Sequence, residues 1–152
     1  ELTRVAVKQG EPAPDWSLPA LDGATVALGS ERGRVVVLAF WATWCGVCKQ
    51  ELPLLEKLYK RLDKDKVRLY TVSTEGRSDD VQRQVKAELG RLQLTMPVLL
   101  DDGTVANLYN VTSIPHLVVI APDGRVTKTM LGLTSASTVE AAITAAAAGG
   151  RY

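Results

Sequence analysis

The chain contains two cysteines, Cys45 and Cys48, separated by two residues. A loop this short cannot hold distant parts of a fold together, because closing it constrains little of the unfolded chain. A structural zinc site needs four ligands, whereas the sequence offers these two thiols and a single histidine, His116. The spacing therefore favours a redox-active dithiol that opens and closes a disulfide.

A buried strand and a helix are predicted on either side of the cysteines. The continuous apolar run 35–40 is typical of a strand buried on both faces of a parallel or mixed sheet. From Cys48 onward apolar residues recur at helical spacing, with a kink or a broken turn expected at Pro53. Cys45 thus lies at the start of the helix, where backbone N–H groups and the helix dipole favour negative charge. We expect the pKa of Cys45 to fall from ~8.5 into the range of about 3.5–7.5.

The position of each cysteine predicts its role. Cys45, at the helix start, is the attacking nucleophile and forms a mixed disulfide with a partner. Cys48 lies three residues further along the same helix face, so the two Cα atoms fall within the ~4.4–6.8 Å that a disulfide tolerates. Cys48 then attacks the mixed disulfide and releases the product. Gly46 and Val47, between them, influence how many N–H groups reach the sulfur.

The rest of the chain alternates between strands and helices. Asp22-Gly23 is a hairpin turn signal between two short strands, Ser78 and Asp79 can cap a helix, and Ser137 to Glu140 has the form of a capping box. This order predicts an α/β fold, with a central mixed β-sheet, helices on both faces and an N-terminal β-hairpin. The predicted strands are 16–18, 25–28, 35–40, 67–74, 96–100, 116–121 and 125–131, and the predicted helices begin near 48, 79, 104 and 138.

Composition excludes several classes of protein. A length of 152 residues predicts a single domain, 1–152. The net charge of +1 gives no case for a nucleic-acid binder. The longest apolar run, 35–42, is well short of the ~20 residues of a membrane helix. Because Glu1 is not a starting methionine, we expect that a signal peptide or membrane anchor would lie upstream. The last four residues, 149–152, are expected to fray.

Several motifs together carry a family resemblance. Residues 40–49 (FWATWCGVCK) resemble the active-site segment of the thioredoxin superfamily. Three further segments narrow the resemblance to the TlpA/ResA-like branch of extracytoplasmic thiol–disulfide oxidoreductases. They are APDW at 13–16, ELP at 51–53, and YNVTSIP at 109–115 with a strand and PDG at 122–124 after it. The resemblance covers about residues 9 to 148.

The resemblance implies a thioredoxin-like fold with a helical insertion near 79–94. It also implies a cis peptide bond between Ile114 and Pro115, packed against the disulfide, with neighbouring backbone that pairs with a bound substrate. The residues alone establish less, since cis bonds are affordable only before proline and an ordinary trans turn is the simpler interpretation. Trp44 is expected to shield the thiolate and to offer a flat apolar contact to a partner.

Glu75 falls where this branch places an acidic residue near the two sulfurs. A carboxylate there can take up the proton that Cys48 must lose before it attacks; a solvated loop glutamate is the alternative. The chain departs from relatives in having Val47 where many thioredoxins have proline, Ala39 where cytoplasmic ones have a buried aspartate, and His116 where threonine is common. His116 has either a role at the dithiol or a structural place in its strand.

The resemblance implies a protein disulfide oxidoreductase, without cofactor or metal, that reduces extracytoplasmic protein disulfides, for example in cytochrome c maturation. Oxidation or isomerisation would use the same residues, and the reduction potential decides the direction. The expected partners are protein substrates and an upstream electron donor, and the expected state is a monomer. The alternative is a Cu(I) metallochaperone that binds the metal through Cys45, Cys48 and His116. A peroxidase is disfavoured, because Ala42 stands where the peroxidatic arrangement needs threonine.

Overall fold

The computed structural model describes residues 8–148, so the predictions for residues 149–152 and for the ends of the 1–152 domain lie outside the described part. The elements follow one another in the predicted order. A 3₁₀ helix, Leu28–Glu31, follows the second strand. The strands are β1 Ser17–Pro19, β2 Thr25–Ala27, β3 Val35–Trp41, β4 Val67–Ser73, β5 Val98–Leu100, β6 His116–Ile120 and β7 Val126–Leu131, and the helices are α1 Gly46–Arg61, α2 Asp79–Leu92, α3 Thr104–Leu108 and α4 Ala136–Ala147.

Five strands form one mixed sheet in the order β5-β4-β3-β6-β7. The three strands β3, β4 and β5 are parallel, whereas β6 and β7 run antiparallel to their neighbours. Every residue of β3 is buried, as expected of a central strand covered on both faces. The hairpin β1–β2 forms a separate sheet, and Ala20 bridges it to Leu99 of β5. The predicted α/β fold with a central mixed sheet and an N-terminal hairpin is therefore confirmed.

Alternating side chains of β3 reach two hydrophobic clusters, one on each face of the sheet. The first cluster contains Val37, Trp41 and both cysteines, and it includes side chains of α1, α4 and Val85 of α2. The second contains Leu38 and Phe40 together with side chains of the hairpin and of α3. Each fully buried aliphatic side chain contributes about 1.5–3 kcal/mol, so these clusters fix the faces of the sheet. Helices lie on both faces, as predicted.

The predicted capping box of the last helix is wrong. The N-cap is Ser135, whose extended backbone precedes the helix and whose hydroxyl accepts the N–H of Thr138 at 3.2 Å. Ser137 already lies inside the first turn, where its hydroxyl cannot serve as the cap. Glu140 does not reach back to a cap but pairs with Arg61 of α1 at 3.4 Å.

A kink or a broken turn is expected at Pro53, and the structure excludes the broken turn, because α1 is continuous from Gly46 to Arg61. A proline removes one N–H donor from a helix and crowds the preceding turn. Leu52 and Leu55 on either side are buried in the first cluster. Their packing holds the helix together across the missing hydrogen bond.

The helical insertion, α2, is capped by Ser78 as predicted, since its hydroxyl accepts the N–H of Val81 at 3.1 Å. A buried carboxylate then ties the chain that follows α2 to α1. Glu56 of α1 accepts the backbone N–H groups of Thr95 and Met96 at 2.9 and 3.1 Å. The insertion is thereby held beside the helix that carries the cysteines.

Candidate active site

Cys45 is the N-cap of α1, at the point where the chain leaves the central strand. Its own N–H donates to the carbonyl of Ala42 at 3.1 Å, which closes a tight turn after β3. The N–H of Cys48 donates to Sγ of Cys45 at 3.2 Å. A helix N-terminus that points a donor at this sulfur favours its negatively charged form. The predicted position of Cys45 is confirmed.

The two cysteines form a disulfide, with their Cα atoms 5.3 Å apart, inside the range predicted from helix spacing. Cys45 is 6% exposed and Cys48 is 1% exposed, so the sulfur at the helix start is the outer one. Trp44 and Val47 around it are exposed at 72% and 45%, and Gly46 is exposed as well. An incoming group therefore meets Cys45 first and Cys48 only behind it.

The peptide bond between Ile114 and Pro115 is cis, as the resemblance implies. The carbonyl oxygen of Ile114 lies 3.9 Å from Sγ of Cys45, which brings this backbone to the edge of the disulfide. The carbonyl of Pro115 accepts the N–H of Gly132 at 2.9 Å. The loop after β7 thus supports the proline segment from behind.

Glu75 lies in the loop after β4 and contacts the loop that leads to Cys45. Its Oε2 accepts the N–H of Thr43 and its Oε1 accepts the Thr43 hydroxyl, each at 2.8 Å. Thr74 beside it donates its N–H and its hydroxyl to the carbonyl of Trp41 at 3.1 and 3.3 Å. The two loops at this edge of the sheet are therefore joined two residues before the outer cysteine.

His116 lies away from the cysteines, on the other face of the sheet. It pairs in register with Phe40, and its ring stacks edge-on against that phenyl ring at 6.1 Å. The ring is 1% exposed, and burial lowers the pKa of His116. Within residues 8–148 no three histidine, cysteine or acidic side chains form a metal-binding group. The structure therefore contradicts a copper site built from His116 and the two thiols, and it gives His116 a structural place.

Sequence reasoning missed a role for a second carboxylate, Glu51. It follows Cys48 by three residues on the same face of α1 and is 2% exposed. Its Oε2 accepts the N–H of Thr134 at 2.9 Å. Burial raises the pKa of Glu51, and the hydrogen bond from Thr134 opposes this. The signal was present in the sequence, as an acidic residue at a helical position that faces the core.

The loop after β7 contacts the proline segment although it lies far along the chain from the cysteines. Its Gly132 donates its N–H to the carbonyl of Pro115 at 2.9 Å, and the flanking Leu131 and Leu133 are 63% and 53% exposed. Leu131 pairs in register with His116, so its side chain points to the face of the sheet opposite the cysteines. No local pattern in the sequence indicated that this loop meets the proline segment.

A groove of about 430 Å³ opens beside the disulfide. Trp44 forms one wall, and the segment from Val111 to Ile114 forms another, with Thr74 and Ala106 completing the lining. Every lining side chain is uncharged. A volume of this size is in the usual range for a binding site, about 300–1,000 Å³.

A disulfide-bonded cysteine pair at a helix start, next to a cis proline on a mixed sheet, defines a thiol–disulfide oxidoreductase of thioredoxin-like fold. Residues 9–129 match the AhpC/TSA family, and the chain belongs to this thioredoxin-like family. Among curated proteins it is 37% identical over 120 residues to the thioredoxin-like protein YneN of Bacillus subtilis, covering 79% of this chain and 69% of YneN. It is 35% identical over 133 residues to the thiol-disulfide oxidoreductase ResA of Geobacillus thermodenitrificans, covering 87% and 73%.

Solved structures agree with this assignment. A thiol:disulfide interchange protein DsbE of Chlorobium tepidum superposes with a TM-score of 0.80 at 28% identity, covering 93% of this chain and 99% of that one. StoA of Bacillus subtilis gives 0.73 at 26% identity, covering 86% and 96%. The resemblance, the fold class and the activity of a thiol–disulfide oxidoreductase are thus confirmed.

Proposed function

We propose that this thiol–disulfide oxidoreductase reduces or exchanges disulfides in extracytoplasmic proteins, as a component of cytochrome c maturation. The observation that carries the proposal is the helix-capping geometry of Cys45, whose sulfur receives the N–H of Cys48 at 3.2 Å. Names of relatives such as ResA and DsbE support the same assignment. The chemistry needs two thiols, a proton acceptor and a protein partner, and it needs no cofactor or metal.

The proposed reaction has two exchange steps. The Cys45 thiolate attacks one sulfur of the substrate disulfide, so a mixed disulfide forms and the substrate's other sulfur leaves as a thiolate that takes up a proton. Cys48 then loses its proton and attacks Sγ of Cys45. The Cys45–Cys48 disulfide forms, and the second substrate thiol departs. Two electrons pass to the substrate, and an upstream donor returns them.

Two carboxylates are proposed as acceptors for the Cys48 proton. Glu75 accepts two hydrogen bonds from Thr43, and an ionised carboxylate has about four acceptor positions, so it retains capacity for another donor. Glu51 is buried on the same helix face as Cys48, and burial raises its pKa, which makes its carboxylate a stronger base. We assign the transfer to Glu75, as the sequence predicts, and Glu51 is the competing candidate.

The substrate contacts are proposed at the apolar surface around the disulfide. The backbone of Ile114, next to the cis Pro115, pairs with the polypeptide that carries the attacked disulfide, because its carbonyl lies 3.9 Å from Sγ of Cys45. Trp44, Gly46 and Val47 contact the partner from the helix side, where they are exposed. This surface suits an uncharged, extended segment of a protein rather than a small charged thiol.

The extracytoplasmic location, the single 1–152 domain, the monomeric state and the electron donor are parts of this proposal. One similar fold, with a TM-score of 0.72 at 23% identity, is described as a secreted disulfide oxidoreductase of Mycobacterium tuberculosis. None of the helices within residues 8–148 has the length and apolar character to cross a bilayer.

The test of function is a redox titration followed by trapping. In glutathione or dithiothreitol buffers, tryptophan fluorescence should report one reversible two-electron transition. A potential near −270 mV would resemble that of thioredoxin, and one near −120 mV that of a strong oxidant. Cys45→Ser should abolish disulfide reduction. Cys48→Ala should accumulate mixed disulfides with protein substrates, and a Cys48→Ala protein that forms no adducts would contradict the assigned order of attack.

A further inference from the structure

Lys49 is the first side chain after Cys48 and lies in the first turn of α1, where its N–H donates to the carbonyl of Cys45 at 3.2 Å. A cation next to a thiolate lowers the free energy of the thiolate. An uncompensated charge on Lys49 would therefore favour the reduced form of the cysteine pair. Such a charge makes the pair a stronger oxidant.

Glu88 of the helical insertion faces this lysine. Its Oε2 lies 3.7 Å from Nζ of Lys49. Its Oε1 accepts two hydrogen bonds from Arg91, from Nε at 3.0 Å and from the terminal nitrogen at 2.8 Å. One oxygen is thus anchored on α2 while the other is held towards α1. The carboxylate of Glu88 is therefore held beside Lys49 in the disulfide form of the protein.

The burial of this ion pair separates it from an ordinary surface pair. The side chains of Lys49 and Glu88 are 24% and 21% exposed, whereas those of Arg61 and Glu140, paired further along α1, are 56% and 52% exposed. Solvent and salt screen a partly buried pair less than an exposed one. Glu88 therefore offsets the charge of Lys49 more effectively than a surface carboxylate would.

We propose that Glu88 tunes the reduction potential of the Cys45–Cys48 pair by neutralising Lys49, so that the insertion helix α2 makes the protein a better reductant. Glu88 touches neither sulfur in the structure and acts through the lysine, as a positioning residue. The inference rests on the proposed function of the pair as a reversible dithiol.

The measured reaction is the oxidation of the protein dithiol by glutathione disulfide, which yields the protein disulfide and two glutathione thiols. Two electrons and two protons leave the cysteines, so any charge that stabilises the thiolate lowers the equilibrium constant. Wild type, Glu88→Gln and Lys49→Gln are equilibrated at pH 7, their free thiols are alkylated, and the two forms are counted by mass.

The two variants should shift the equilibrium in opposite directions. Glu88→Gln should lower the constant roughly two- to fourfold, because the charge of Lys49 is no longer offset. Lys49→Gln should raise it by a similar factor, since the carboxylate remains without the lysine. A threefold change corresponds to about 14 mV for a two-electron couple. The double variant should return close to the wild-type constant.

A matched control is Glu140→Gln, which removes an ion pair on the same helix and should leave the constant unchanged. About 1 M salt should shrink the Glu88→Gln effect, because the Debye length falls to about 3 Å. Shifts of the two single variants in the same direction, or no shift in Glu88→Gln, would overturn the inference. If wild type itself fails to interconvert, the proposed function fails instead.

Discussion

The outer cysteine receives its character from three neighbouring groups. The N–H of Cys48 donates to Sγ of Cys45 at 3.2 Å, and the carbonyl oxygen of Ile114 lies 3.9 Å from the same sulfur. Glu75 accepts two hydrogen bonds from Thr43, two residues before Cys45. The first contact places a backbone donor at the sulfur, the second is the one at which we propose that a substrate backbone aligns, and the third joins the loop before Cys45 to the loop after β4. The surroundings of this sulfur thus come from the first turn of α1 and from two loops that are distant in the sequence.

The proton transfer assigned to Glu75 can be separated from its contact with Thr43. Glu75→Gln removes the base but keeps a carbonyl oxygen that can accept from Thr43. We expect it to slow the release of the mixed disulfide by about 10²-fold or more and to shift the pH curve for alkylation of Cys48. Thr43→Val loses the hydroxyl contact only and should leave that curve unmoved. If Glu75→Gln leaves it unmoved too, the base is another group.

Glu51 predicts a pH dependence of stability. Its pKa is raised in the folded protein above the ordinary value of 4.5, so the folded state holds this proton more tightly than the unfolded state. The associated stability is present below pH 4.5 and is lost as pH rises through the folded pKa. Glu51→Gln should remove this loss. The difference in the free energy of unfolding between the variant and wild type should therefore grow with pH, by up to about 1.4 kcal/mol per pH unit. Urea titrations at several pH values measure the free energy of unfolding of both proteins. If that free energy changes with pH equally in both, the effect is contradicted.

At the scale of elements, helix ends and strand ends decide where the site residues lie. α1 starts at the end of the central strand and so places its first turn at the edge of the sheet. The insertion helix α2 is fixed to α1 through Glu56 and through Lys49 with Glu88. The loop between β7 and α4 meets both Pro115 and Glu51. The loop that leads into α4 therefore helps to position Pro115 and Glu51.

The N-cap of α4 gives a direct test of this arrangement. Ser135→Ala should lower the free energy of unfolding by about 0.5–2 kcal/mol, because the N–H of Thr138 loses its acceptor. Ser137→Ala should change it by less than about 0.5 kcal/mol, as for an ordinary surface position. Chemical denaturation of both variants makes the comparison. If Ser137→Ala lowers the free energy of unfolding more than Ser135→Ala does, the capping box predicted from the sequence is correct after all.

Across the whole molecule, the sheet separates two environments. The face that holds the cysteines is packed by α1 and α4, and the opposite face buries His116 against Phe40. Neither ring nitrogen of His116 has a hydrogen-bond partner among the described residues. A charged imidazole is therefore costly there.

His116 should make the fold sensitive to mild acid. Burial depresses its pKa below the ordinary 6.5, so the unfolded state takes up the proton first as pH falls. Stability is then fully present above pH 6.5 and declines below it, by at most about 1.4 kcal/mol per pH unit. His116→Leu should lack this decline between pH 7.5 and 5.5 in denaturant titrations. If the free energy of unfolding of His116→Leu declines with falling pH as steeply as that of wild type, groups other than His116 cause the decline.

The sequence alone was sufficient for the features that depend on near neighbours. The order of strands and helices, the place of Cys45 at a helix start and the same-face spacing of Cys48 all follow from residues a few positions apart. Local signals were also incomplete. The broken turn considered at Pro53 is absent, and the cap of the last helix is Ser135 rather than Ser137. The cis bond before Pro115 came from family resemblance, since an isolated X–Pro pair is consistent with either isomer.

Only the tertiary structure decided which distant residues meet at the disulfide. Ile114 lies more than sixty positions beyond Cys45, yet its carbonyl oxygen lies 3.9 Å from Sγ of Cys45. Thr134, still further along the chain, contacts Glu51 on the helix that carries the cysteines. The sheet topology assigned His116 to the opposite face, since a strand's alternation says that a side chain points to one face without saying which. Charges act through space rather than along the chain, so the partnership of Glu88 with Lys49 appeared only once two helices were packed together.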